Sequence, residues 1–447
     1  MLQCPPMQSL PAMHTLLNVP CFADYDRAIL KALANELLEE CRLNQCAYEN
    51  LAQWCNALQA RYEALLAPPF KKVYNATGVL LSTNLGRAPL ESGALRELEI
   101  LSGYVDLEVD LERAMRFERA FQAQNLLKAL FNAPDALILN NNASALVLVA
   151  SAFAPKSKRK QTLLSYGQLV EIGGGFRAHE LLESVTHLKL VGSTNKTYLR
   201  DYKNACSDAS ALIASVHWSN FSMQGFVASV SSKSLFNLAQ EKGLVFYEDL
   251  GSMQSVEHTK KALKNAHLLS FSADKLLGSV QAGIVLGERE YIEALRTHPL
   301  YRAFRVDKIT LFLLTKSLQG YLQGQKTPLQ AFLEQDKDAL LNKALKLHRA
   351  LSQITGLKAF VIPTQARVGG GVQMGALESF GVQIQANIDC KALYHALYQR
   401  GVAGVVRSDC VVLDVYALFE KDMRALVCCV QEVLENFYKG FSCSNPS

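Results

Sequence analysis

At 447 residues with 49% hydrophobic side chains, the chain has the length and apolar content for two or three globular domains, which excludes a low-complexity or fibrous protein. Its formal net charge of +5 is dispersed, residues 1–70 carrying 4 Lys/Arg against 7 Asp/Glu, so no segment is basic enough to mark a nucleic-acid binder by itself. Eleven scattered cysteines, none in CxxC spacing, argue against a zinc site or disulfide framework and predict free thiols, no bound metal and a cytoplasmic protein.

The first 23 residues contain no Lys, Arg, Asp or Glu and are broken by Pro5, Pro6, Pro11 and Pro20, unlike the basic start of a signal peptide. Asp24 then offers a cap for a helix with apolar positions Ile29, Leu33 and Leu37, and a second helix is expected from about Ala47 to Leu66. Pro68-Pro69 closes this small helical unit, which reads equally as a packing layer or a dimerisation arm.

From Val73 the pattern changes. Apolar runs of strand length recur at Ala136–Leu139, Thr162–Ser165, Leu188–Val191, Ala211–Val216, Gly243–Tyr247, His267–Phe271 and Ala282–Leu286. All but the last two are separated by enough chain for a crossover helix, which predicts an α/β domain with a mostly parallel sheet covered on both faces. The longest apolar run, Ala143 to Pro155, is too short to span a bilayer, so no membrane segment is expected. A helical stretch from Thr310 to Leu351, a strand at Ala359–Pro363, a helix at Cys390–Gln399, a strand at Cys410–Val415 and a last helix near Lys421–Tyr438 complete a smaller α+β domain. The expected domains are therefore 1–70, 71–320 and 321–447.

In this architecture ligands sit at the carboxyl ends of the strands. Lys275 stands there, in Ser270-Phe-Ser-Ala-Asp-Lys-Leu-Leu-Gly278, where small neighbours leave room for a planar cofactor and suit a Schiff-base lysine as well as they suit a surface turn. Asp249 ends a strand one step earlier and is placed to keep the ring nitrogen of pyridoxal phosphate protonated, or merely to cap a turn. Asn142, Ala143 and Ser144 open an apolar helix and offer backbone N–H groups and a hydroxyl to a phosphate; the plain alternative is a helix cap at Asn142. His217 follows another strand, where it could stack on a ring or serve structure alone. Arg87 lies in a glycine-punctuated loop, and Arg302 and Arg305 share a face if their segment is helical, forming a fork for an anion. The glycine runs at 173–175 and 369–371 match no phosphate-loop pattern.

Nine segments, in order, resemble bacterial selenocysteine synthase, the L-seryl-tRNA(Sec) selenium transferase family. They are 75–89, 106–110, 140–145, 169–177, 191–201, 216–226, 248–252, 270–287 and 298–310, with Leu169-Val-Glu-Ile-Gly-Gly174 and Phe271-Ser-Ala-Asp-Lys275 the most specific. Leu10-Pro-Ala-Met-His-Thr-Leu-Leu17 also echoes the family's start. The resemblance implies an aspartate aminotransferase-like (fold type I) transferase that holds pyridoxal 5'-phosphate on Lys275, with Ser272 among the cofactor contacts. It implies conversion of seryl-tRNA(Sec) to selenocysteinyl-tRNA(Sec) through an aminoacrylyl intermediate, with Arg87, Arg302 and Arg305 holding selenophosphate. A tRNA-binding N-terminal domain and a homo-oligomer, a ring of dimers, are implied too. The chain departs from the family pattern at Arg113–Arg119, which lacks glycine, at Tyr166-Gly-Gln168, at Met253-Gln254 and at Ser279-Val280. Those departures also leave room for a related pyridoxal enzyme without the tRNA function, or for a tRNA-binding relic.

Overall fold

The computed structural model describes residues 10–44, 48, 50–158, 160–172, 175–218, 221–251, 255–369 and 375–442. The chain forms two compact units, Met1–Lys72 and Val73–Ser447. In the first, helices α1 (Arg27–Asn44) and α2 (Leu51–Leu66) bury Leu30, Ala34, Leu37, Trp54 and Leu58 against one another. The cap of α1 is Asp26 rather than Asp24: its Oδ1 accepts from the N–H groups of Ala28 and Ile29 at 2.9 and 3.0 Å. Asn50 caps α2, so that helix begins later than the apolar pattern alone suggests, and Ala47 lies outside the described residues.

The second unit is built on a seven-stranded sheet. Its strands are β1 (Asp135–Leu139), β2 (Gln161–Ser165), β3 (His187–Val191), β4 (Ser210–Val216), β5 (Val245–Asp249), β6 (Leu268–Ser272) and β7 (Gly283–Gly287). They lie in the order β1-β7-β6-β5-β4-β2-β3, with β7 antiparallel to both neighbours and every other pair parallel. Every residue of β1, β6 and β7 is buried because side chains of alternating direction enter two separate cores. Ala136, Ile138, Phe246, Leu269, Phe271 and Ile284 face one layer; Leu137, Leu139, Tyr247, Leu268 and Val285 face the other. Helix α3 (Asn142–Phe153) belongs to the second layer.

A single helical turn, α4 (Ala273–Leu276), joins β6 to β7. Two helices follow, α5 (Pro299–Phe304) and α6 (Lys308–Leu322). The expected helical stretch from Thr310 to Leu351 is in fact three helices, α6, a short one at Pro328–Leu333, and α7 (Lys337–Leu351). Beyond them β8 (Leu357–Gly369), β9 (Leu377–Ala386) and β10 (Cys410–Asp414) form an antiparallel sheet. Its outer strands are Val405–Arg407 and, from far upstream, Val79–Leu81, which runs parallel to β8.

Seven cysteines among the described residues are free, but Cys41 is disulfide-bonded, and the expectation of free thiols does not hold at that position. Among the described residues no helix is long and apolar enough to cross a membrane, and no group of His, Cys, Asp and Glu is arranged to hold a metal ion. Gly173, Gly174, Gly370, Gly371, Ser252, Met253 and Gln254 lie outside the described residues.

Candidate active site

The carboxyl edge of the sheet, where β1, β5 and β6 end, is organised by the start of α3. Asn141, rather than Asn142, caps that helix: its Oδ1 accepts from the Ser144 N–H at 2.8 Å and from the Ser144 hydroxyl at 3.0 Å. Asn142 is thereby released to reach across the edge, and its Nδ2 donates to Asp249 Oδ1 at 2.7 Å. The N–H groups of Asn142 and Ala143 belong to the first helical turn, which has no preceding carbonyls to pair with, and such groups cradle anions. Gly283 lets β7 come close beneath them, since a Cβ at that position would stand 2.1 Å from the Asn141 carbonyl oxygen.

Asp249 is the last residue of β5 and is buried. Its Oδ1 accepts from the Gly251 N–H at 2.8 Å as well as from Asn142. Burial raises its carboxyl above the usual 3.8, opposed by the Asn142 amide, the Gly251 N–H and the positive charge of Lys275. Lys275 lies on α4, immediately past β6. Burial lowers its ammonium from the usual 10.5; Asp274 and Asp249 oppose that shift and Arg87 adds to it. Acid and amine therefore stand in one another's field, each destabilised by burial and each partly restored by the other. Ser272 ends β6 buried, and its hydroxyl makes no capping bond to α4. The His217 N–H donates to the Asp249 carbonyl at 3.0 Å, tying β4 to β5, and the pKa of its imidazole is lowered from the usual 6.5 chiefly by desolvation.

Arg87 reaches the same edge from a distant loop. Its Nη1 is 2.8 Å from Oδ2 of Asp274, a carboxylate that is 2% exposed and whose Oδ1 has no hydrogen-bond partner among the described residues. Gly86 and Arg87 both adopt left-handed backbone, φ 87° and 65°, and a non-glycine residue there stores strain of about 1 kcal/mol or more. Arg302 and Arg305 do not share a helical face. Helix α5 ends at Phe304, and Arg305 follows in extended conformation, because Asp307 already caps α6 through the N–H groups of Ile309 and Thr310. The Phe304 carbonyl accepts from the Asn140 N–H at 2.9 Å, which sets Arg305 beside the end of β1. Its guanidinium is 3.8 Å from Glu108, whose carboxyl is held low chiefly by the Arg119 hydrogen bond, against a smaller desolvation penalty. Arg302 is exposed on α5.

Comparison with known proteins gives this edge its context. A family model described as L-seryl-tRNA selenium transferase matches residues 73–419. The L-seryl-tRNA(Sec) selenium transferase of Wolinella succinogenes is 35% identical over 450 residues, covering 96% of this chain and 99% of the relative; that of Helicobacter pylori is 38% identical over 385 residues, covering 83% and 95%. The chain belongs to the L-seryl-tRNA selenium transferase family. Among solved structures it is similar to D-glucosaminate-6-phosphate ammonia-lyase, with a TM-score of 0.60 at 19% identity, covering 84% of this chain and 98% of that one. That likeness and the strand order, with β7 reversed between β1 and β6, assign the chain to fold type I, the aspartate aminotransferase-like α/β fold.

Three of the four segments set apart from the resemblance in the sequence make local contacts or a turn among the described residues; Met253-Gln254 lies outside them. Gln168 donates through Nε2 to the Ser215 hydroxyl at 3.0 Å, and Ser279 donates to Ser317 at 2.8 Å from a buried position. Residues Val109–Asp110 and Met115–Arg116 form a hairpin in which Ala114 takes φ 50°, a conformation that glycine adopts without cost. Asn141, Asp274 and Glu108 carry the site's geometry without having stood out in the sequence. Asp274 adjoins the lysine, a signal of proximity but not of role.

Proposed function

We propose that this chain converts seryl-tRNA(Sec) to selenocysteinyl-tRNA(Sec), with selenophosphate as the selenium donor and pyridoxal 5'-phosphate bound at Lys275. The observation that carries the reading is the meeting of Lys275 and the buried Asp249 at adjacent strand ends. The residues present fit the cofactor: an amine for its aldehyde, a carboxylate for its ring nitrogen, and, for its phosphate, the first-turn N–H groups of Asn142 and Ala143 with the hydroxyls of Ser144 and Ser272. Pyridoxal phosphate, when bound, supplies an electron sink that stabilises negative charge at Cα of the serine. Lys275, once the seryl amine has taken its place on the cofactor, would be a free amine whose neutral form burial favours; it would take the Cα proton and return it to the hydroxyl that leaves from Cβ as water. Arg87 and Arg305, with Arg302, hold the anionic donor beside that carbon. Arg87 would exchange part of its pairing with Asp274 for the donor's phosphate oxygens.

Residues 1–70 are proposed to bind the tRNA, 71–320 to carry cofactor and chemistry, and 321–447 to close the site. The working form is a cytoplasmic homo-oligomer. The direct test supplies purified protein with pyridoxal phosphate, seryl-tRNA(Sec) and selenophosphate and follows selenium entering acid-precipitable tRNA. Incorporation is expected to fall at least about 10³-fold in Lys275→Ala. Equal incorporation by wild type and variant would overturn the assignment of the lysine; none by either would overturn the activity.

A further inference from the structure

Alternation along β5 turns Tyr247 and Asp249 to the same face, and the register of β6 sets Ser270 beside Asp249. Asn142 reaches this face from the start of α3. The hydroxyls of Tyr247 and Ser270 are 2.6 Å apart; Ser270 is 2.6 Å from Asn142 Oδ1; and Asn142 Nδ2 is 2.7 Å from Asp249 Oδ1. Tyr247 and Ser270 are fully buried.

A count of protons orients the whole series. An ionised carboxylate only accepts, so Asn142 must turn its NH2 toward Asp249 and its oxygen toward Ser270. Ser270 has one proton and spends it on that oxygen, so the bond from Tyr247 must be donated by the phenol. Reversing the amide would set oxygen against carboxylate and break the series at Asp249. Every bond thus points toward Asp249, the group that burial pushes toward its neutral form.

We propose that Tyr247 and Ser270 are positioning residues that act through Asn142 to keep Asp249 an acceptor, and so to set how firmly it holds the protonated ring nitrogen of the cofactor. The proposal rests on the reading of Lys275 and Asp249 as a pyridoxal phosphate site. Neither hydroxyl touches the reacting atoms, and each acts only through the next member.

The test titrates pyridoxal phosphate into apo-protein and records affinity, the intensity ratio of the protonated to the unprotonated cofactor band at one pH, and Tm. Ser270→Ala is expected to weaken binding about tenfold and lower the band ratio; the near-isosteric Tyr247→Phe does the same about threefold. Because Tyr247 acts only through Ser270, the double variant should match Ser270→Ala alone rather than multiply the two effects. Band ratios and affinities that stay at wild-type values while Tm falls would overturn the relay and leave both residues as packing. A Lys275→Ala control that keeps the visible band would instead overturn the underlying site.

Discussion

Two buried aspartates end two strands of this molecule and are treated in opposite ways. Asp414, at the end of β10, is 2% exposed, and its carboxylate is met on both oxygens: Thr364 donates to Oδ2, while Ser379 at 2.9 Å and the Tyr416 N–H at 2.8 Å donate to Oδ1. Gly78 packs over it so closely that a Cβ there would stand 2.9 Å from its Cγ. Asp249 is nearly as buried, but among the described residues Asn142 and the Gly251 N–H both donate to its Oδ1, and the positive charge of Lys275 acts on it. A carboxylate saturated by neutral donors and sealed by backbone is structural. One that stands in the field of a buried amine suits the ligand-binding role proposed for Asp249.

Exchanging the two acids for their amides breaks or sharpens this contrast. Asp249→Asn keeps the shape but removes the charge, and turnover should fall about 10²-fold or more while Tm changes little, as steady-state assay and thermal melting would show together. Asp414→Asn should do the reverse. Its NH2 would face fixed donors, costing about 2–4 kcal/mol by denaturant unfolding without altering cofactor affinity. If both variants lose only stability, the difference between the acids is not functional. Arg87→Ala should raise KM for selenophosphate about tenfold. It should also lower Tm, because Asp274 is left buried without its ion pair.

The smallest effect concerns the two lysines. Lys343 on α7 is 8% exposed, donates to Gln335 at 3.2 Å and lies over the Phe332 ring; burial lowers its pKa from the usual 10.5 to about 8. Between those values the unfolded chain binds the proton and the folded chain does not, so stability rises with pH from about 8 to about 10.5. Lys343→Met should lack that rise and be more stable at pH 7 by about 1–3 kcal/mol, with cofactor binding unchanged. Urea melts at a series of pH values decide it. A cofactor defect in this variant would mean that Lys343, like Lys275, serves the site.

Much of the large sheet was legible because strands buried on both faces must be nearly all apolar, and all seven runs appear within two residues of their expected bounds. β9 was passed over although Phe380, Val382, Ile384 and Ala386 alternate with Gly381, Gln383 and Gln385, because a continuous apolar run marks a strand buried on both faces and misses a strand with one polar face. Lys275 and Asp249 could be read from their positions after strands. Which of three consecutive asparagines caps α3 could not, because the choice depends on Asp249, 107 residues away. The face supposed for Arg302 and Arg305 failed for a local reason that was present in the sequence: Asp307 with Thr310 is the start signal of a new helix, so the old one had to end. The pairing of Arg87 with Asp274 spans 187 residues and has no local signature at all.

The reversed strand β7 also sets a timetable. Inserted between β1 and β6, this last strand of the sheet to be synthesised joins the first to the last but one, and Asn142 waits for partners 107 and 128 residues downstream. A ribosome that has delivered everything up to β5 has made a chain with no usable site, whose β1 edge is still unpaired. On the proposed reading, a product truncated before Gly287 is expected to lack a complete cleft for pyridoxal phosphate.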